Sequence, residues 1–287
     1  ADQEGVSYFQ LTLDKGRRCS SAVAYLKPAR DRKNLTVITH AQAEKLLIKD
    51  GRTTGVTVNI KGASQDIMAR REVILSAGTI GSPQILMLSG VGAADELKQQ
   101  GITVVHNLPG VGKNLQDHLQ ARPVFKTDLS TINIETNNLL KQGMIALQYA
   151  LTQTGPMTMA ASLGTAFLKT DPTLDTPDIQ FHIQPFSASA PADGPHKFSA
   201  FTASVLQMRP ESTGHIALKS PNWRDHPAIH PNYLATKLDQ DTIVKGIQIA
   251  RKIAQFEPLK AHITGEFTPG SGVALDNYDA TLTWARD

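Results

Sequence analysis

Small residues and the start of a helix come together in the stretch "VILSAGTIGSP", which holds the clearest chemical signal in the sequence. Its β-branched run predicts a strand that ends near Ser76, and a helix follows. Ala77 and Gly78 allow another surface to approach the main chain closely, while Ser82 suits a helix N-cap and Pro83 a first helical turn. A helix N-terminus offers free N–H groups and a positive dipole end to an anion. This stretch therefore predicts contact with a phosphate-bearing ligand, or else an ordinary tight turn of an α/β protein.

The residues around this stretch predict a half of the chain that mixes strands and helices. A short helix over residues 22–33 ends near Pro28, and the β-branched run "NLTVITH" follows as a strand. Alternating runs separated by Gly51, Gly55 and Gly62 predict a β-meander. Further elements are predicted over residues 82–88 (helix), 93–100 (helix) and 102–108 (strand).

From about Gln120 the sequence changes in character. The amphipathic segment "NLLKQGMIALQYALTQTG" predicts a helix, and "DIQFHIQPF", "FTASVLQMR" and "GHIALKS" predict antiparallel strands with one covered face. A later helix is expected to cover that face. Its apolar residues are Ile243, Ile247, Ala250, Ile253 and Ala254. We therefore predict a mixed α/β (α+β) protein with one domain over residues 1–120 and a second over residues 121–287.

The composition excludes several classes of protein. Of 287 residues, 40% are hydrophobic and 19% are charged, which is typical of a globular protein long enough for two domains. The formal net charge is +3, and Lys and Arg are scattered among Asp and Glu, so no nucleic-acid partner is indicated. The sequence contains a single cysteine, Cys19, so an internal disulfide is excluded and a reducing compartment is favoured. We interpret Cys19 as a structural residue.

The two ends of the chain show neither a membrane anchor nor a natural terminus. No apolar run approaches the ~18 residues that span a bilayer, and "ADQEGVSYFQ" has no signal-peptide pattern. We expect a cytoplasmic location, with peripheral association with the inner face of a membrane left open. The chain begins without Met and ends within "NYDATLTWARD", where Asp276 or Asn277 can cap a helix that reaches no Gly or Asn C-cap. These features predict a piece of a longer protein.

Other patterns in the sequence match chemical motifs only in part. His226 and His230 have the four-residue spacing of a helical zinc site, but the proline after each of them opposes a helix and no third ligand is adjacent. "GVGKNL" and "GSGVAL" each lack the third glycine of a dinucleotide fingerprint. "GASQD" fails the Gly-x-Ser-x-Gly pattern of a serine hydrolase at its last position. We therefore predict no metal site and no hydrolase nucleophile.

The order of the residues from Gly78 to Gly92 is more specific than their local chemistry. The pattern Gly78-Thr79-x-x-Ser82-Pro83-x-Ile85-Leu86-x-x-Ser89-Gly90-Val91-Gly92 resembles, at each defined position, the second signature of the glucose-methanol-choline (GMC) family of flavin-dependent alcohol oxidoreductases. Other segments look like the corresponding stretches of choline-dehydrogenase-type members: "GRRCSSAVAYLKPARDRKNLTVIT", "LPGVGKNLQDH", "TPDIQFHIQPF" and "STGHIALKSPNWRDHPAIHPNYL". The resemblance covers essentially the whole chain.

The resemblance implies an FAD domain and a substrate domain built on an antiparallel sheet. Residues 1–120 are then a partial FAD-binding domain with the β-meander, and residues 121–287 a substrate-binding domain whose sheet is covered by helices. The family's Gly-x-Gly-x-x-Gly fingerprint has no counterpart here, and its catalytic His is expected beyond Asp287. The resemblance implies FAD in the longer protein, whereas residues 1–287 alone are expected to lack flavin and activity.

Several residues fall where the family approaches its flavin. Ala43 falls where a main-chain group holds the adenine, which any residue type can do. Ala77 and Gly78 fall where the chain passes close to the FAD, and Ser82 belongs to the same signature. The other candidates for supporting the cofactor, near the domain boundary, lie in "NLQDH": Asn114, Asp117 and His118.

The residues implied in substrate binding begin with Gln120. Choline-using relatives typically carry a carboxylate there, and a neutral amide is a poorer partner for a permanent cation. Gln120 therefore favours an uncharged aliphatic or aromatic alcohol as the substrate over choline. Phe181, His182 and Gln184 are candidates for lining the pocket, or else belong to the core. The implied reaction oxidises a primary alcohol to the aldehyde by hydride transfer to flavin, with a quinone or oxygen as the electron acceptor. A non-catalytic module that binds a ligand or partner without flavin remains the alternative.

Overall fold

The computed structural model describes residues 3–190 and 193–287 and forms two compact units. The first, called the sheet unit, consists of Ala1–Arg32, His118–Glu211 and Thr236–Asp287. The second, called the meander unit, consists of Lys33–Asp117 and Ser212–Ala235. Both units are discontinuous in sequence, whereas the expected domains are contiguous. The chain nevertheless leaves the meander unit at Asp117, close to the expected boundary near Gln120.

The helices and strands of the described residues have the following bounds. The helices are α1 (Lys27–Ala29), which continues a π-helical turn over Ala22–Leu26, α2 (Gly78–Leu88), α3 (Ala94–Gln99), α4 (Ile132–Thr136), α5 (Leu139–Thr152), α6 (Lys237–Ile253) and α7 (Tyr278–Arg286), with 3₁₀ turns over Pro156–Thr158 and Lys260–His262. The strands are β1 (Gly5–Tyr8), β2 (Leu13–Asp14), β3 (Arg17–Arg18), β4 (Ala41–Lys49), β5 (Arg52–Ile60), β6 (Ala63–Met68), β7 (Val91–Gly92), β8 (His106–Asn107), β9 (Lys113–Leu115), β10 (Gln120–Ala121), β11 (Val124–Thr127), β12 (Gly164–Leu168), β13 (Ile179–Gln184), β14 (Ala200–Gln207), β15 (Gly214–Ala217), β16 (Ala228–His230) and β17 (Ile263–Thr268).

The meander unit is built on the antiparallel sheet β4-β5-β6. Gly51 (φ +74°) and Gly62 (φ +88°) lie in the two connecting turns, where the left-handed backbone favours glycine. Ser89 ties α2 to this sheet, because its Oγ accepts a hydrogen bond from the N–H of Leu46 at 2.8 Å and donates one to the carbonyl of Ile85 at 2.5 Å. The buried apolar cluster of the unit comprises Met87, Leu97, Leu115 and Ile216. The C-terminal end of α2 is therefore held firmly in place.

The sheet unit is built on an antiparallel sheet in the order β1-β12-β13-β14-β11-β17, with β10 also paired to β14. α6 begins at the N-cap Thr236, whose Oγ1 accepts a hydrogen bond from the N–H of Asp239 at 3.3 Å. The helix packs closely on one face of the sheet, since a Cβ built on Gly246 would lie 2.7 Å from Cγ2 of Val205. The apolar residues that α6 buries are Ile243, Val244, Ile247 and Ala250. Their spacing matches one face of a helix, which explains why this segment is helical.

Several sequence predictions are confirmed. The fold is mixed α/β with antiparallel sheets, and the meander, the long helix α5, the covering helix α6 and the strands β13 and β14 are found where the sequence indicates them. The terminal helix α7 is capped by Asn277, whose side chain accepts a hydrogen bond from the N–H of Ala280 at 2.9 Å. These elements could be predicted from local propensity and periodicity, because the residues that specify each of them lie within the element or next to it in sequence.

Other predicted elements are wrong or are placed differently. The runs "NLTVITH" and "EVILS" form no strand, and "ITVVHNL" contributes only β8. A β-branched run becomes a strand only where another strand offers main-chain partners, and the described residues offer none to these two runs. "GHIALKS" contains β15, but this strand pairs with β9 and β16 instead of joining the large sheet. The helix predicted to start at Ser82 begins earlier, at Gly78, so Pro83 lies inside it and not in its first turn. Gly55, predicted to separate two runs of the meander, lies inside β5. Ile253, predicted on the covered face of α6, is 41% exposed.

Glycine-to-alanine substitutions in two helices test the packing of α6. Gly246→Ala places a methyl group 2.7 Å from the stiff, buried side chain of Val205, and overpacking of this kind costs about 1–3 kcal/mol. That loss exceeds the gain of about 1 kcal/mol in helix propensity. The matched control is Gly143→Ala in α5, where a Cβ meets no described atom within 4 Å. Denaturant unfolding should show that Gly246→Ala destabilises the protein and Gly143→Ala stabilises it, and stabilisation by both would contradict this packing.

Candidate functional site

The chain bends at Ala77 and Gly78 and enters α2 directly. Gly78 has φ +79°, a left-handed conformation that strains any residue with a Cβ. A Cβ built on Gly78 meets none of the described atoms within 4 Å, and Ser76, Ala77 and Thr79 are exposed. Bare main chain therefore borders open space at this bend, as close approach by a ligand requires.

The first turn of α2 suits an anion. Its main-chain N–H groups receive no cap from the described side chains. It also contains no acidic residue, so no carboxylate in this turn would neutralise the positive dipole end or repel an anion. Ser82 is not the N-cap that the sequence predicted. It lies inside the helix, and its Oγ accepts a hydrogen bond from the N–H of Ala77 at 3.1 Å. Ser82 thus fixes the shape of the bend from within the helix.

The glycines at the other end of the signature have a packing role. Gly90 has φ +82°, and a Cβ on it would lie 2.4 Å from the carbonyl oxygen of Thr103. A Cβ on Gly92 would lie 3.2 Å from Cγ of Met87. Contacts within the protein therefore account for Gly90 and Gly92, whereas at Gly78 only the backbone conformation requires glycine and the adjacent space stays free.

Ala43 lies in β4, opposite Val58 of β5, and is half-buried. β4 is the strand to which Ser89 ties α2, so Ala43 and the bend belong to neighbouring elements of one unit. The main chain of β4 is already engaged with β5 on one side. A contact from Ala43 to a ligand would therefore use a main-chain group on the other side of the strand or its small side chain.

The segment "NLQDH" contains residues with special backbone or side-chain roles. Asn114 has φ +58° in β9, and asparagine tolerates this left-handed conformation better than most residues. The carboxylate of Asp117 accepts a hydrogen bond from the hydroxyl of Tyr233. That hydrogen bond, followed by burial and the charge of Asp117, raises the pKa of Tyr233 to about 12. His118, the first residue of the next stretch of the sheet unit, has Nε2 3.0 Å from the carbonyl oxygen of Met208, which it meets as an N–H donor.

The strand register brings most of the predicted substrate residues onto one face of the large sheet. Gln120, His182 and Gln184 are paired with alternate positions of β14, and alternate positions share a face. Those partners are Leu206, Ser204 and Thr202. Phe181 is paired with Val205, lies on the opposite face that α6 covers, and is only 2% exposed. The structure therefore separates Phe181 from the other three and makes it a core residue.

The face that carries His182 is polar, yet much of it is buried. Gln184 is 7% exposed and its Oε1 accepts a hydrogen bond from Nη2 of Arg122 at 3.2 Å. Ser204 is fully buried, and its Oγ finds no hydrogen-bond partner among the described residues. Burial, with a smaller contribution from the charge of His118, lowers the pKa of His182 below its usual value of 6.5. The neutral imidazole of His182 is therefore favoured at pH 7, and Phe9 packs edge-on against it at 4.8 Å.

Some residues in or near the candidate site were missed by the sequence analysis. Arg122 and Ser204 have no motif of their own, and Tyr233 lies far from Asp117 in sequence. The alternation of residues 120, 122 and 124 could have indicated the shared face of Arg122 and Gln120. The partner of Asp117 and the burial of Ser204 depend on long-range packing that no local pattern reports.

The other chemical groups of the described residues form neither a metal site nor a membrane span. Within residues 3–190 and 193–287 no group of three His, Cys, Asp or Glu side chains is arranged to hold a metal ion. His230 lies in β16 and stacks on His215 at 4.5 Å, so the His226 and His230 pair is not on a helix. Cys19 is half-buried and unpaired by any disulfide. None of the helices in the described ranges has the length and apolar character needed to cross a bilayer.

Comparison with known proteins identifies relatives of this chain. Two family models, both described as GMC oxidoreductase, match residues 1–120 and residues 210–284. The chain is 39% identical over 283 residues to an alcohol dehydrogenase (acceptor) of Pseudomonas putida, with 96% of this chain and 51% of that protein covered. It is 38% identical over 277 residues to the mitochondrial choline dehydrogenase of Mus musculus, with 96% and 46% covered. The chain thus spans about half the length of the curated relatives it matches.

A solved structure shares the fold. Formate oxidase of Aspergillus oryzae superposes with a TM-score of 0.87 at 24% identity, and the match covers 98% of this chain and 53% of that one. At this identity the likeness concerns the fold alone. It supports the mixed α/β arrangement described above.

The Tyr233 and Asp117 contact predicts a late-ionising tyrosine. Because the hydrogen bond favours the neutral phenol, its stabilising effect is present below pH 10 and is lost as the pH rises through about 12. Ultraviolet titration of the folded protein should show a tyrosine that ionises near pH 12, and Asp117→Asn should move it towards pH 10. Tyr233→Phe is the control that removes this signal. An unchanged titration in Asp117→Asn would contradict the contact.

Proposed function

Because this chain belongs to the GMC oxidoreductase family, we propose that it forms part of an FAD-dependent oxidoreductase that oxidises a primary alcohol to its aldehyde. The observation that carries the proposal is the open bend at Gly78, next to a helix start without a side-chain cap from the described residues. Such a helix start accommodates the phosphates of a dinucleotide. The signature from Gly78 to Gly92 supports the same assignment.

The residues of the chain position the reactants, and the cofactor supplies the redox chemistry. When bound, FAD accepts the carbon-bound hydrogen of the alcohol as hydride. We assign Ala77 and Gly78 to close main-chain contact with the nucleotide, and Ala43 to a main-chain contact with its adenine. Ser82 holds the bend through the N–H of Ala77. Residues with a supporting role near the cofactor are Asn114, Asp117 and His118, and the catalytic His is expected outside residues 1–287.

We assign substrate binding to the polar face of the large sheet, at Gln120, His182 and Gln184. The named groups on this face are neutral at pH 7, and the charged neighbour that contacts Gln184 is the cation Arg122. A quaternary ammonium substrate gains nothing from these groups and is repelled by Arg122. An uncharged aliphatic or aromatic alcohol therefore suits this face better than choline does, although relatives of both names match the chain equally well. A quinone or oxygen is proposed as the electron acceptor.

We propose a cytoplasmic location with peripheral association with the inner face of a membrane. The membrane association is supported by α5, which buries no residue. One side of this helix exposes the apolar residues Leu140, Met144, Leu147 and Leu151, and its one charged residue is Lys141. Flotation with phosphatidylcholine vesicles containing phosphatidylglycerol tests this, and Leu147→Ser with Leu151→Ser should weaken binding. Leu238→Ser, which alters an exposed leucine of α6, is the control. Equal flotation of all three proteins would contradict a role for α5.

The proposed function is tested by the pair Gly78→Ala and Gly51→Ala in the complete protein. Both glycines have positive φ, +79° and +74°, and neither Cβ would meet a described atom within 4 Å, so both substitutions bring similar backbone strain of about 1 kcal/mol. If the nucleotide lies against the bend, only Gly78→Ala should weaken flavin retention, by about 10-fold or more. Flavin absorbance of the purified proteins and reduction of an artificial acceptor provide the measurements.

The same preparations test the reaction. The complete wild-type protein should be yellow and should oxidise uncharged primary alcohols with a higher kcat/KM than choline. Residues 1–287 alone should be colourless. A complete protein that carries no flavin and oxidises no alcohol would contradict the proposal and favour a module that binds a ligand or partner without flavin.

A further inference from the structure

A cavity of about 740 Å³ lies in the sheet unit, and none of the residues assigned above to flavin or alcohol lines it. One wall is the β2–β3 hairpin with the residues on either side of it, and the other wall is the segment that follows α5. We call it the hairpin cavity. Its lining residues are 11–13, 16, 18–21 and 157–161. Pockets that hold small molecules have volumes in this range.

The hairpin is packed against the C-terminal end of α5. Gly16 has φ +70°, and a Cβ built on it would lie 2.1 Å from the carbonyl oxygen of Gln153, the C-cap of α5. Only glycine allows this close approach, and Gly16 itself lines the cavity. The cavity therefore lies next to the end of α5, the helix whose exposed leucines are assigned above to a membrane surface.

One part of the lining is apolar and exposed. Leu11, Leu13 and Met157 are 37%, 42% and 54% exposed, and they gather at the same concave surface. Exposed apolar side chains that line a concave surface are typical of a binding site. This wall favours a ligand with an apolar body.

The polar part of the lining is rich in hydrogen-bond donors. The guanidinium of Arg18 can only donate, and it forms no ion pair with a described residue. The hydroxyls of Ser20 and Ser21 also line the cavity. None of the described lining residues carries a carboxylate. These groups favour a ligand that accepts hydrogen bonds.

We propose that the hairpin cavity binds the ring of a membrane quinone, the electron acceptor of the alcohol oxidation. This inference rests on the proposed function and selects one of the two acceptors named there. A quinone ring is flat and apolar, and its two carbonyl oxygens accept hydrogen bonds but donate none, which matches both parts of the lining. An anionic lipid headgroup also accepts hydrogen bonds from Arg18, but it gains nothing from the apolar wall. Oxygen needs no cavity of this size.

The cavity is adjacent in the chain to the face proposed for the alcohol. The N–H of Phe9 donates a hydrogen bond to the carbonyl of Leu163 at 3.0 Å, and Phe9 packs against His182. Two residues from each end of this hydrogen bond, Leu11 and Ala161 line the cavity. The overall reaction is balanced. The alcohol loses two electrons and two protons as it becomes the aldehyde, and the quinone gains the same number of each as it becomes the hydroquinone.

Binding of duroquinone to the complete protein tests this inference. Duroquinone is the probe because its ring is fully methylated, so the thiol of Cys19 in the cavity wall finds no unsubstituted ring carbon to attack. Saturation-transfer NMR should show contact between the protein and the methyl protons. Arg18→Ala should weaken binding about 10-fold, because a charged donor is lost. The matched control is Arg17→Ala, which alters the neighbouring exposed arginine of β3 outside the lining and should change binding by less than about 2-fold.

Ala161→Trp is a second variant, which fills the cavity from an exposed position in its wall. In alcohol oxidation with duroquinone as the acceptor, Ala161→Trp and Arg18→Ala should each raise the KM for duroquinone about 10-fold or more. Equal duroquinone binding by the wild type and all three variants would overturn the proposal. An increase of the alcohol KM by the same factor would also overturn it, because the cavity would then hold the alcohol. Displacement of duroquinone by dihexanoylphosphatidylglycerol at equal concentration would identify a lipid headgroup as the occupant and would likewise overturn it.

Flavin absorbance of the same preparations distinguishes this inference from the proposed function. A yellow protein that oxidises alcohols, but whose duroquinone binding is unaffected by Arg18→Ala and Ala161→Trp, refutes only the quinone site. A colourless protein that oxidises no alcohol, but whose duroquinone signal is lost in both variants, refutes only the proposed function.

Discussion

The left-handed backbone of Gly78 is the constraint on which the candidate nucleotide site depends. A residue with φ +79° cannot continue a right-handed helix towards its N-terminus, so the N–H groups of the first turn of α2 stay without intrahelical partners. Ser82 stabilises that turn from inside the helix, and Ser89 ties the far end of the helix to β4. The helix is thus held by the protein at one end and open at the other. This arrangement leaves main-chain donors available without weakening the packing of the unit.

The two compact units present different kinds of chemistry. The meander unit offers bare main chain beside open space, which suits the diphosphate and ring system of a nucleotide. The sheet unit offers side chains, because α6 covers one face of its sheet. The other face carries His182, Gln184 and the hydroxyl of Ser204, which has no hydrogen-bond partner among the described residues. Polar groups are costly to bury without partners, so a buried polar face is poorly explained by stability alone. The substrate binding that we propose at this face accounts for that pattern.

The sequence predicted the elements whose patterns are complete within themselves. The glycine spacing of the meander and the apolar period of α6 are of this kind, and both elements are found. The runs "NLTVITH" and "EVILS" have equally strong strand propensity, but a strand also needs a neighbour, and propensity does not report whether one is present. The membership of β15 in a separate sheet likewise depends on β9, far away in sequence.

The sequence likewise predicted some parts of the candidate site and not others. The bend at Ala77 and Gly78 could be predicted because the local residue types indicate where the main chain needs small residues. The separation of Phe181 from His182 follows from strand alternation once the covered face is known, but which face α6 covers is decided by packing. Ser82 was misplaced because an N-cap and a helical serine that bonds back to Ala77 have the same local sequence.

An experimental structure of the complete protein, determined without added cofactor, tests the central claim most directly. The account predicts density for a flavin dinucleotide in van der Waals contact with the main chain of Ala77 and Gly78, with its diphosphate near the first turn of α2. Side chains of the protein filling that space, with no room for a nucleotide, would contradict it.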